Sequence, residues 1–373
     1  MENKKVLIIS MTCGEGHNAI AKSFLSEFQK QGAEAKIVDL FESKTKNKKF
    51  YNNMYLWACK HIPHLYEMAW KHERKVNPEK LEKSPQYKQI KCVISHFEKL
   101  INDYKPYAIV CVHNSAGAMV AYLKNHHLID DKIKTITVMF DYVLCPYWNT
   151  NRYLDYCITP HEICHKALLD VGFKESQLKC FGFPTNSKFY EKQDKTEVRK
   201  KLGLENKFTF FSISGGNGLG NSLKLLKNIL KAKGDFQVII VNGKNEKNRA
   251  KIEKYLTKHN IHNVINLGFV NNINELMSAS DIAFARGGGA GISECFYSGL
   301  PVIFREGLII NEKENKNLFV QKNCGFEIKH ASDVTKICQK VLDNPQIIAE
   351  MQNNIKSFVK ERPIEKTVQF ILE

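Results

Sequence analysis

The sequence predicts an α/β protein made of two similar halves, each with a parallel sheet that helices cover on both faces. Short apolar runs alternate with amphipathic helical stretches along the chain, as they do in parallel sheets. A polar and charged segment, Gly182–Lys207, interrupts this alternation, which then restarts. Glycine-rich turns follow several of the apolar runs, where strands of such sheets lead into helices.

The first half contains several short apolar runs that read as strands. Two of the intervening stretches, Ala19–Phe28 and Tyr87–Ile101, have the apolar spacing of amphipathic helices. The predicted strands are Val6–Ile9, Ala35–Val38, Ala108–Val112, Thr135–Phe140 and Tyr156–Ile158.

The second half repeats the pattern, and we place the domain boundary near residue 190. The predicted domains are 1–190 and 191–373, with the last helix packing back on the first domain. Ligands of such sheets bind at the carboxyl ends of the strands, so the expected site is the cleft between the two domains. The predicted strands of this half are Phe208–Ile213, Phe236–Val241, Val264–Leu267, Ile282–Phe284 and Val302–Phe304.

The composition is that of a globular protein of 373 residues, with 43% hydrophobic and 25% charged residues. Nothing in the sequence resembles a signal peptide, and no apolar segment approaches the roughly 20 residues that span a bilayer. We therefore expect a cytosolic protein. The 11 cysteines form no C-x-x-C pair and are expected to be reduced thiols. Cys157, His161, Cys164 and His165 are metal-ligand types, but no second ligand pair has a zinc-like spacing, so no metal is predicted.

Half of the net charge of +16 lies in one segment, Lys44–Lys91, which holds twelve Lys and Arg against four Asp and Glu. An excess of this kind indicates an acidic partner such as a nucleic acid, an anionic lipid or a nucleotide phosphate. No nucleic-acid-binding motif accompanies it, so we expect no nucleic acid. The segment also contains the aromatic residues Phe50, Tyr51, Tyr55, Trp57, Tyr66, Trp70 and Tyr87.

Three glycine-rich turns follow predicted strands. The first contains Gly14 and Gly16 and is followed at once by His17; the second is Ser214–Gly220; in the third, Arg286 precedes three glycines. Each turn alone is as consistent with a tight connection as with a phosphate site. An arginine beside an amide-rich turn suits a diphosphate, because both supply donors to one anion.

The first turn has two functional interpretations. Gly14-x-Gly16-x-x-Ala19, with Asp39 at the end of the next strand, loosely fits a dinucleotide fingerprint. We favour the other, in which His17 is a general base at the mouth of a cleft, since imidazole ionises near neutral pH.

Several segments in order resemble the monogalactosyldiacylglycerol synthase and processive diacylglycerol glucosyltransferase family. SMTCGEGHNAIAKSF is similar to its N-terminal signature, and FDYVLCPYWNT to its D-[YF]-x-x-H-x-x-W element. LDVGFKESQLKCFGFP and INEKENKNLFVQKNCGFEI resemble two further family segments. The glycine turns of the second half also resemble those of the related peptidoglycan N-acetylglucosaminyltransferase.

The resemblance implies a GT-B fold: two Rossmann-like domains with parallel sheets and an inter-domain cleft. It implies an inverting transferase that needs no cofactor or metal and moves a hexose from UDP-glucose or UDP-galactose to a membrane lipid. The first domain would bind the acceptor, diacylglycerol or a related lipid, and the second the UDP-sugar. The enzyme would be peripheral on the inner face of the cell membrane.

Site residues follow from the same resemblance. His17 would be the catalytic base, Phe269–Val270 would meet the uracil, Glu294 the ribose, and Asn311, Glu312 and Asn315 the hexose. The diphosphate would meet Gly215, Gly216, Asn217, Arg286, Gly288 and Gly289. The acceptor side would include Gly14, Gly16, Asp141, Tyr142 and Trp148. Membrane contacts would include Lys48, Lys49, Trp57 and Trp70, since lysines attract anionic lipids and tryptophans suit the headgroup region.

The sequence departs from the family pattern near both substrates. Cys145 stands where the family has histidine, Phe140 and Gly291 where it has threonine, and Ile310–Asn311 where it has Gly-Gln. The donor and acceptor therefore stay open. Alternatives are a polyprenyl-linked or other acceptor, a catalytically idle nucleotide-sugar binder at the membrane, and a dehydrogenase.

Overall fold

The computed structural model describes residues 4–12, 16–41, 85–145, 148–213, 221–305, 307 and 309–373, with residues 62, 65, 67, 68, 71 and 72. Elements are numbered in chain order within these ranges. The chain divides into two compact units. Unit 1 comprises Met1–Asn186, Leu308–Asn311 and Lys360–Glu373, and unit 2 comprises Ser187–Gly307 and Glu312–Val359.

Unit 1 is built on a six-stranded sheet whose strand order is β2-β1-β3-β4-β5-β6. All neighbouring strands pair in parallel. Val6–Ile9 in β1 is fully buried, as expected for a central strand of a parallel sheet covered on both faces. The strands are β1 (Lys5–Ser10), β2 (Glu34–Asp39), β3 (Ala108–Cys111), β4 (Lys134–Val138), β5 (Tyr156–Thr159) and β6 (Leu178–Cys180).

Helices connect these strands and bury their apolar sides against the sheet. Ile90, Val93, Phe97 and Ile101 of the second helix lie in one core cluster with residues of β1, β3 and the third helix, at the spacing of one helical face. The helices are α1 (Gly16–Lys30), α2 (Pro85–Tyr104), α3 (Asn114–Asn125), α4 (Trp148–Asn151) and α5 (His165–Asp170).

Unit 2 repeats this plan with the strand order β12-β11-β10-β7-β8-β9, again parallel throughout. Its core joins β7, β8 and β10 to the apolar faces of the covering helices. The strands are β7 (Phe208–Ile213), β8 (Phe236–Val241), β9 (Val264–Leu267), β10 (Ile282–Ala285), β11 (Val302–Phe304) and β12 (Gly325–Glu327).

Two helices of this part of the chain carry residues predicted to bind the donor. α10 (Gly289–Tyr297) follows β10, and α11 (Ile310–Gln321) follows β11; α11 begins in residues grouped with unit 1 and continues in unit 2. The helices are α6 (Lys195–Lys201), α7 (Ser222–Ile229), α8 (Glu246–Lys258), α9 (Ile273–Ser278), α10 (Gly289–Tyr297), α11 (Ile310–Gln321), α12 (Ala331–Asp343) and α13 (Gln346–Ile355).

The last helix, α14 (Pro363–Leu372), belongs to unit 1. Ile364, Val368 and Ile371 on it are buried. Lys134 Nζ donates to the carbonyl oxygens of Phe370 at 3.3 Å and Ile371 at 3.1 Å. A lysine at this end suits the negative pole of the helix dipole.

All ten strands predicted from the sequence are present, with ends shifted by at most two residues. The prediction missed β6 and β12, which are three residues long and lie at sheet edges. Within the residues that the structure describes, no helix is long and apolar enough to cross a membrane. The proposed membrane contacts Lys48, Lys49, Trp57 and Trp70 lie outside these residues.

Candidate active site

His17 lies in the first turn of α1, the helix that comes after β1 in the chain. Its Nδ1 is 2.9 Å from the carbonyl oxygen of Val112. A carbonyl oxygen can only accept, so Nδ1 carries the proton and Nε2 carries the lone pair. The backbone therefore fixes the tautomer in which Nε2 can act as a base.

Two aromatic rings enclose the His17 imidazole. The His113 ring lies 4.7 Å from it at 65°, and the Phe140 ring lies 5.0 Å from it at 85°, centroid to centroid. Burial disfavours the imidazolium and lowers the pKa of His17 to about 4, although the bond to Val112 opposes this shift. His17 is thus neutral at pH 7, the form that a general base requires.

The two histidines meet because of the strand order. His17 follows β1 and His113 follows β3, and these strands are neighbours in the sheet although β2 lies between them in the chain. This is the topological switch point of the sheet, outside which ligands of such folds bind. Sequence analysis missed His113 because the two residues are far apart in the sequence.

A carboxylate holds Thr12, the last described residue of the segment after β1. Asp39 Oδ2 accepts from the amide of Thr12 at 3.0 Å and from its hydroxyl at 2.5 Å, and Oδ1 accepts from the amide of Phe41 at 3.0 Å. Both carboxylate oxygens are thus engaged with protein, which disfavours the ribose role of the dinucleotide interpretation. Gly14 lies outside the described residues, and Gly16 is the first residue of α1.

The other predicted acceptor-side residues follow β4. Asp141 accepts from Asn311 Nδ2 at 2.9 Å and from Cys145 Sγ at 3.5 Å. Asn311, proposed to hold the hexose, thus contacts Asp141 within unit 1. Tyr142 and Trp148 are each 4% exposed, so their side chains pack in the interior rather than line an open surface.

Unit 2 has its own switch point between β7 and β10. Gly215, Gly216 and Asn217 come after β7 in the sequence and lie outside the described residues. After β10 come Arg286 and Gly287, then Gly288 as the N-cap of α10. Gly288 supplies no side-chain cap, so the first amides of α10, from Gly289 onward, have no capping side chain and can bind an anion.

The predicted hexose-binding residues Glu312 and Asn315 contact the same turn. Arg286 Nη1 lies 3.7 Å from Glu312 Oε1, and Asn315 Nδ2 donates to Gly287 O at 2.9 Å. A Cβ on Gly287 would lie 1.9 Å from Glu312 O. Only glycine allows α11 to approach the turn this closely. The structure thus brings Arg286, Gly288, Gly289, Glu312 and Asn315 to one end of the unit 2 sheet.

Glu294 lies in the second turn of α10 and has an unusual ionisation. Burial raises the pKa of its carboxyl to about 7, and the charge of Lys188 only partly opposes the shift. No hydrogen-bond partner of this carboxylate occurs in the described part of the chain. Perturbed groups of this kind are frequent at binding sites.

Arg305, directly after β11, is a second cation that sequence analysis missed. Its amide donates to Ala285 O at 2.9 Å, which places it beside Arg286. Burial and the neighbouring charge of Arg286 lower the pKa of Arg305 to about 10. Positive charge therefore accumulates where β10 and β11 end. No sequence motif shows that Arg305 lies beside Arg286, because this depends on the pairing of β10 with β11.

The predicted uracil contacts, Phe269 and Val270, follow β9 at the other edge of the sheet. Phe269 is 60% exposed, and Lys244 Nζ lies 5.9 Å from its ring centroid. An exposed aromatic side chain can cover an apolar ligand face.

The Cys157–His165 segment has structural contacts. His161 Nδ1 accepts from the amide of Ile163 at 3.0 Å, and His165 Nε2 lies 3.0 Å from the Thr159 hydroxyl. Burial raises the pKa of Cys157 and Cys164, so both are unreactive thiols. Among the residues that the structure covers, no group of three or more His, Cys, Asp or Glu side chains could hold a metal ion.

Two family profiles match the chain in sequence order. The profile described as monogalactosyldiacylglycerol (MGDG) synthase matches residues 17–185, and that described as glycosyltransferase family 28 C-terminal domain matches residues 218–366. A processive diacylglycerol beta-glucosyltransferase of Bacillus licheniformis is 24% identical over 375 residues, which cover 100% of this chain and 95% of that protein.

Solved structures support the fold. The crystal structure of MurG from Acinetobacter baumannii superposes with a TM-score of 0.64 at 12% identity, covering 99% of both chains. That of HepE from Anabaena, in complex with UDP-glucose, superposes with a TM-score of 0.55 at 15% identity, also covering 99% of both chains.

The two parallel six-stranded sheets have the GT-B fold, as the sequence predicted, and the two matching profiles make the chain a glycosyltransferase. More specifically, the chain belongs to the family that combines an MGDG synthase domain with a family 28 C-terminal domain, and it is a hexosyltransferase of that family. The predicted family and enzyme class are therefore confirmed.

Proposed function

We propose that this enzyme transfers a hexose from a UDP-sugar to a hydroxyl group of diacylglycerol, with inversion at the anomeric carbon. The observation that supports it most is the state of His17: a neutral imidazole whose Nδ1 proton is bound by Val112 and whose Nε2 lone pair is open. Such a group can take a proton from an attacking hydroxyl. The relatives named as diacylglycerol glucosyltransferases support the acceptor.

The reaction replaces one bond to the anomeric carbon with another and moves one proton. The acceptor oxygen attacks the anomeric carbon while its proton moves to His17 Nε2. The bond from that carbon to the diphosphate breaks, and its electron pair leaves with UDP. Attack opposite the leaving group inverts the configuration.

The unit 2 residues suit a UDP-sugar. Arg286 and the first amides of α10, with Arg305 nearby, favour the charge that develops on the diphosphate. We assign Glu294 to the ribose hydroxyls, and Glu312 and Asn315 to the hexose. The neighbour solved with UDP-glucose supports a donor of this class.

The acceptor lies in a bilayer, so the enzyme must dock on one. We propose the basic aromatic segment 44–91 as the docking surface. Of its few described residues, Leu65 and Met68 are 61% and 59% exposed and are three positions apart, hence on one helical face. Exposed apolar groups next to lysines suit an anionic membrane surface.

A donor and acceptor screen tests the proposal. UDP-glucose, UDP-galactose and UDP-N-acetylglucosamine would be incubated in turn with anionic vesicles that contain or lack dioleoylglycerol, and the lipid products identified by mass. We expect one hexosyl-diacylglycerol product that requires dioleoylglycerol and a β-anomeric signal by NMR.

Other results would change the assignment in defined ways. If product forms only when the vesicles contain polyprenyl-linked sugars, these lipids and not diacylglycerol are the acceptor. UDP binding without UDP release under any condition would indicate a catalytically idle binder. NADH binding would revive the dehydrogenase interpretation.

A further inference from the structure

His113 has the opposite hydrogen-bonding state to His17. It lies between β3 and α3 and is the N-cap residue of α3, where its Nδ1 accepts from the amide of Ser115 at 3.0 Å. A backbone amide can only donate, so Nδ1 carries the lone pair and Nε2 carries the proton. His113 is therefore a hydrogen-bond donor at Nε2.

The orientations of both imidazoles are fixed at two consecutive residues, Val112 and His113. The carbonyl of Val112 holds His17, and the cap of α3 orients the side chain of His113. The ring centroids are 4.7 Å apart. In the part of the chain that the structure describes, neither Nε2 has a hydrogen-bond partner, so two neighbouring rings offer one open acceptor and one open donor.

We propose that the two histidines bind one acceptor hydroxyl at two points, His113 Nε2–H donating to its oxygen while His17 Nε2 accepts its proton. This inference rests on the proposed function and adds a second catalytic residue to it. A hydroxyl oxygen has one hydrogen and two lone pairs. One lone pair receives the His113 bond, and the other is left to attack the anomeric carbon.

The protonation states are consistent with this step. The hydroxyl proton ends on His17 Nε2, and His113 keeps its own proton throughout. Burial and the neighbouring charge of His17 both lower the pKa of His113, so His113 stays neutral when His17 becomes charged. The pair also selects hydroxyl acceptors, because a thiol sulfur accepts a hydrogen bond only weakly.

Two substitutions separate the catalytic role of His113 from its structural role. His113→Asn keeps an oxygen that can cap α3, since asparagine is a favoured N-cap residue, but it lacks a donor at the position of Nε2. His113→Gln reaches that position with an amide donor but is too long to form the same cap. Rates would be measured with varied dioleoylglycerol at saturating UDP-hexose, alongside UDP affinity and the melting temperature.

The two variants should change different quantities. We expect H113N to lower kcat/KM for the lipid by about 10- to 100-fold, as for the loss of one hydrogen bond in the transition state. Its UDP affinity and melting temperature should equal those of the wild type. H113Q should melt about 2–4 °C lower yet keep more of kcat/KM than H113N.

Each contrary result has one meaning. Equal kcat/KM for H113N and the wild type would overturn this inference and leave the proposed function standing. A loss of kcat/KM in H113N that is matched by an equal loss of UDP affinity would also overturn this inference and leave the proposed function standing. If the wild-type protein transfers no sugar to dioleoylglycerol, the proposed function fails and this inference fails with it.

Discussion

At the residue scale, the site depends on which atoms of a side chain the backbone already occupies. Val112 O binds the Nδ1 proton of His17, and the Ser115 amide binds the Nδ1 lone pair of His113. Two identical side chains thus present opposite chemistry at Nε2. Burial keeps both neutral by disfavouring the charged form.

Replacing His17 tests its role as the base. We expect His17→Ala to reduce turnover by about 10²- to 10⁴-fold, the usual contribution of a general base, with little change in UDP affinity. Since the pKa of His17 is about 4, protonation of His17 should not reduce the wild-type rate between pH 6 and 8. His126→Ala is the control, because His126 also bonds a carbonyl through Nδ1 but is exposed. Turnover like that of the wild type in His17→Ala would remove His17 from the mechanism.

The raised pKa of Glu294 predicts how the stability of the folded protein depends on pH. Its pKa rises from an ordinary 4.5 to about 7 on folding, so the folded state holds this proton more tightly than the unfolded chain. The resulting stabilisation is complete below pH 4.5 and is lost as the pH rises through 7. Glu294→Gln should therefore stabilise the protein relative to wild type at pH 8, by on the order of 1–3 kcal/mol, and much less at pH 5.

Denaturant unfolding at both pH values measures this difference. Glu350→Gln, an exposed position on α13, is the control and should show no such dependence. Under the proposed function, Glu294→Gln should also weaken UDP binding, because the amide replaces an acceptor of two ribose hydroxyls. Equal stability of Glu294→Gln and wild type at pH 8 would contradict the burial cost assigned to this carboxylate.

At the element scale, turns at strand ends depend on close backbone approach. The turn from β10 to α10 passes so near α11 that a Cβ on Gly287 would lie 1.9 Å from Glu312 O. A Cβ on Gly291, two residues into α10, would meet nothing within 4 Å. Neighbouring glycines in one motif thus have different constraints.

Alanine substitutions test this contrast. Gly287→Ala must displace the turn or α11, and we expect a loss of about 2 kcal/mol or more in unfolding free energy, in the range of strained backbone changes. Gly291→Ala is the matched control. It should be neutral or stabilising by up to about 1 kcal/mol, because alanine favours a helix. Equal effects of the two substitutions would contradict the assigned packing.

The sequence did not reveal the two short edge strands β6 and β12. β6 and β12 are three residues each, with the sequences LKC and GFE. Neither forms an apolar run, because an edge strand of three residues is stabilised mainly by pairing with its neighbour. The long amphipathic helices α1 and α2 were predicted because their own apolar spacing marks the buried face.

At the scale of the whole molecule, unit 1 is not one continuous stretch of the chain. Unit 1 takes its last helix from the carboxyl end of the chain, Pro363–Leu372, after the chain has formed unit 2. α14 contacts unit 1 through buried apolar residues and through the lysine bonds to its last carbonyls. Its stability contribution therefore belongs to unit 1.

A charge buried in α14 tests this assignment. Val368 is fully buried, and Val368→Asp should destabilise the protein by about 3 kcal/mol or more, since an unpaired charge would enter the core. Hydrogen exchange followed by mass spectrometry should show the loss of protection in β1, α1 and β4 of unit 1. The exposed neighbour substitution Gln369→Asp should leave exchange unchanged. Loss confined to unit 2 would overturn the assignment of α14.

The sequence by itself determined the class of fold and ten of the strands described here, and it predicted the glycine turns and the role of His17. These features are local: apolar spacing records which face is buried, and glycines record where the backbone turns sharply. The ordered motifs also identified the family, because together they cover nearly the whole chain.

Only the tertiary structure decided which residues meet at the strand ends. His113 is 96 positions from His17 in the sequence, and Arg305 is separated from Arg286 by a helix and a strand. Tyr142 and Trp148 matched family motifs yet are buried, and Glu294 gains its raised pKa from burial alone. Strand pairing and desolvation act through space, so no pattern of neighbouring residues records them.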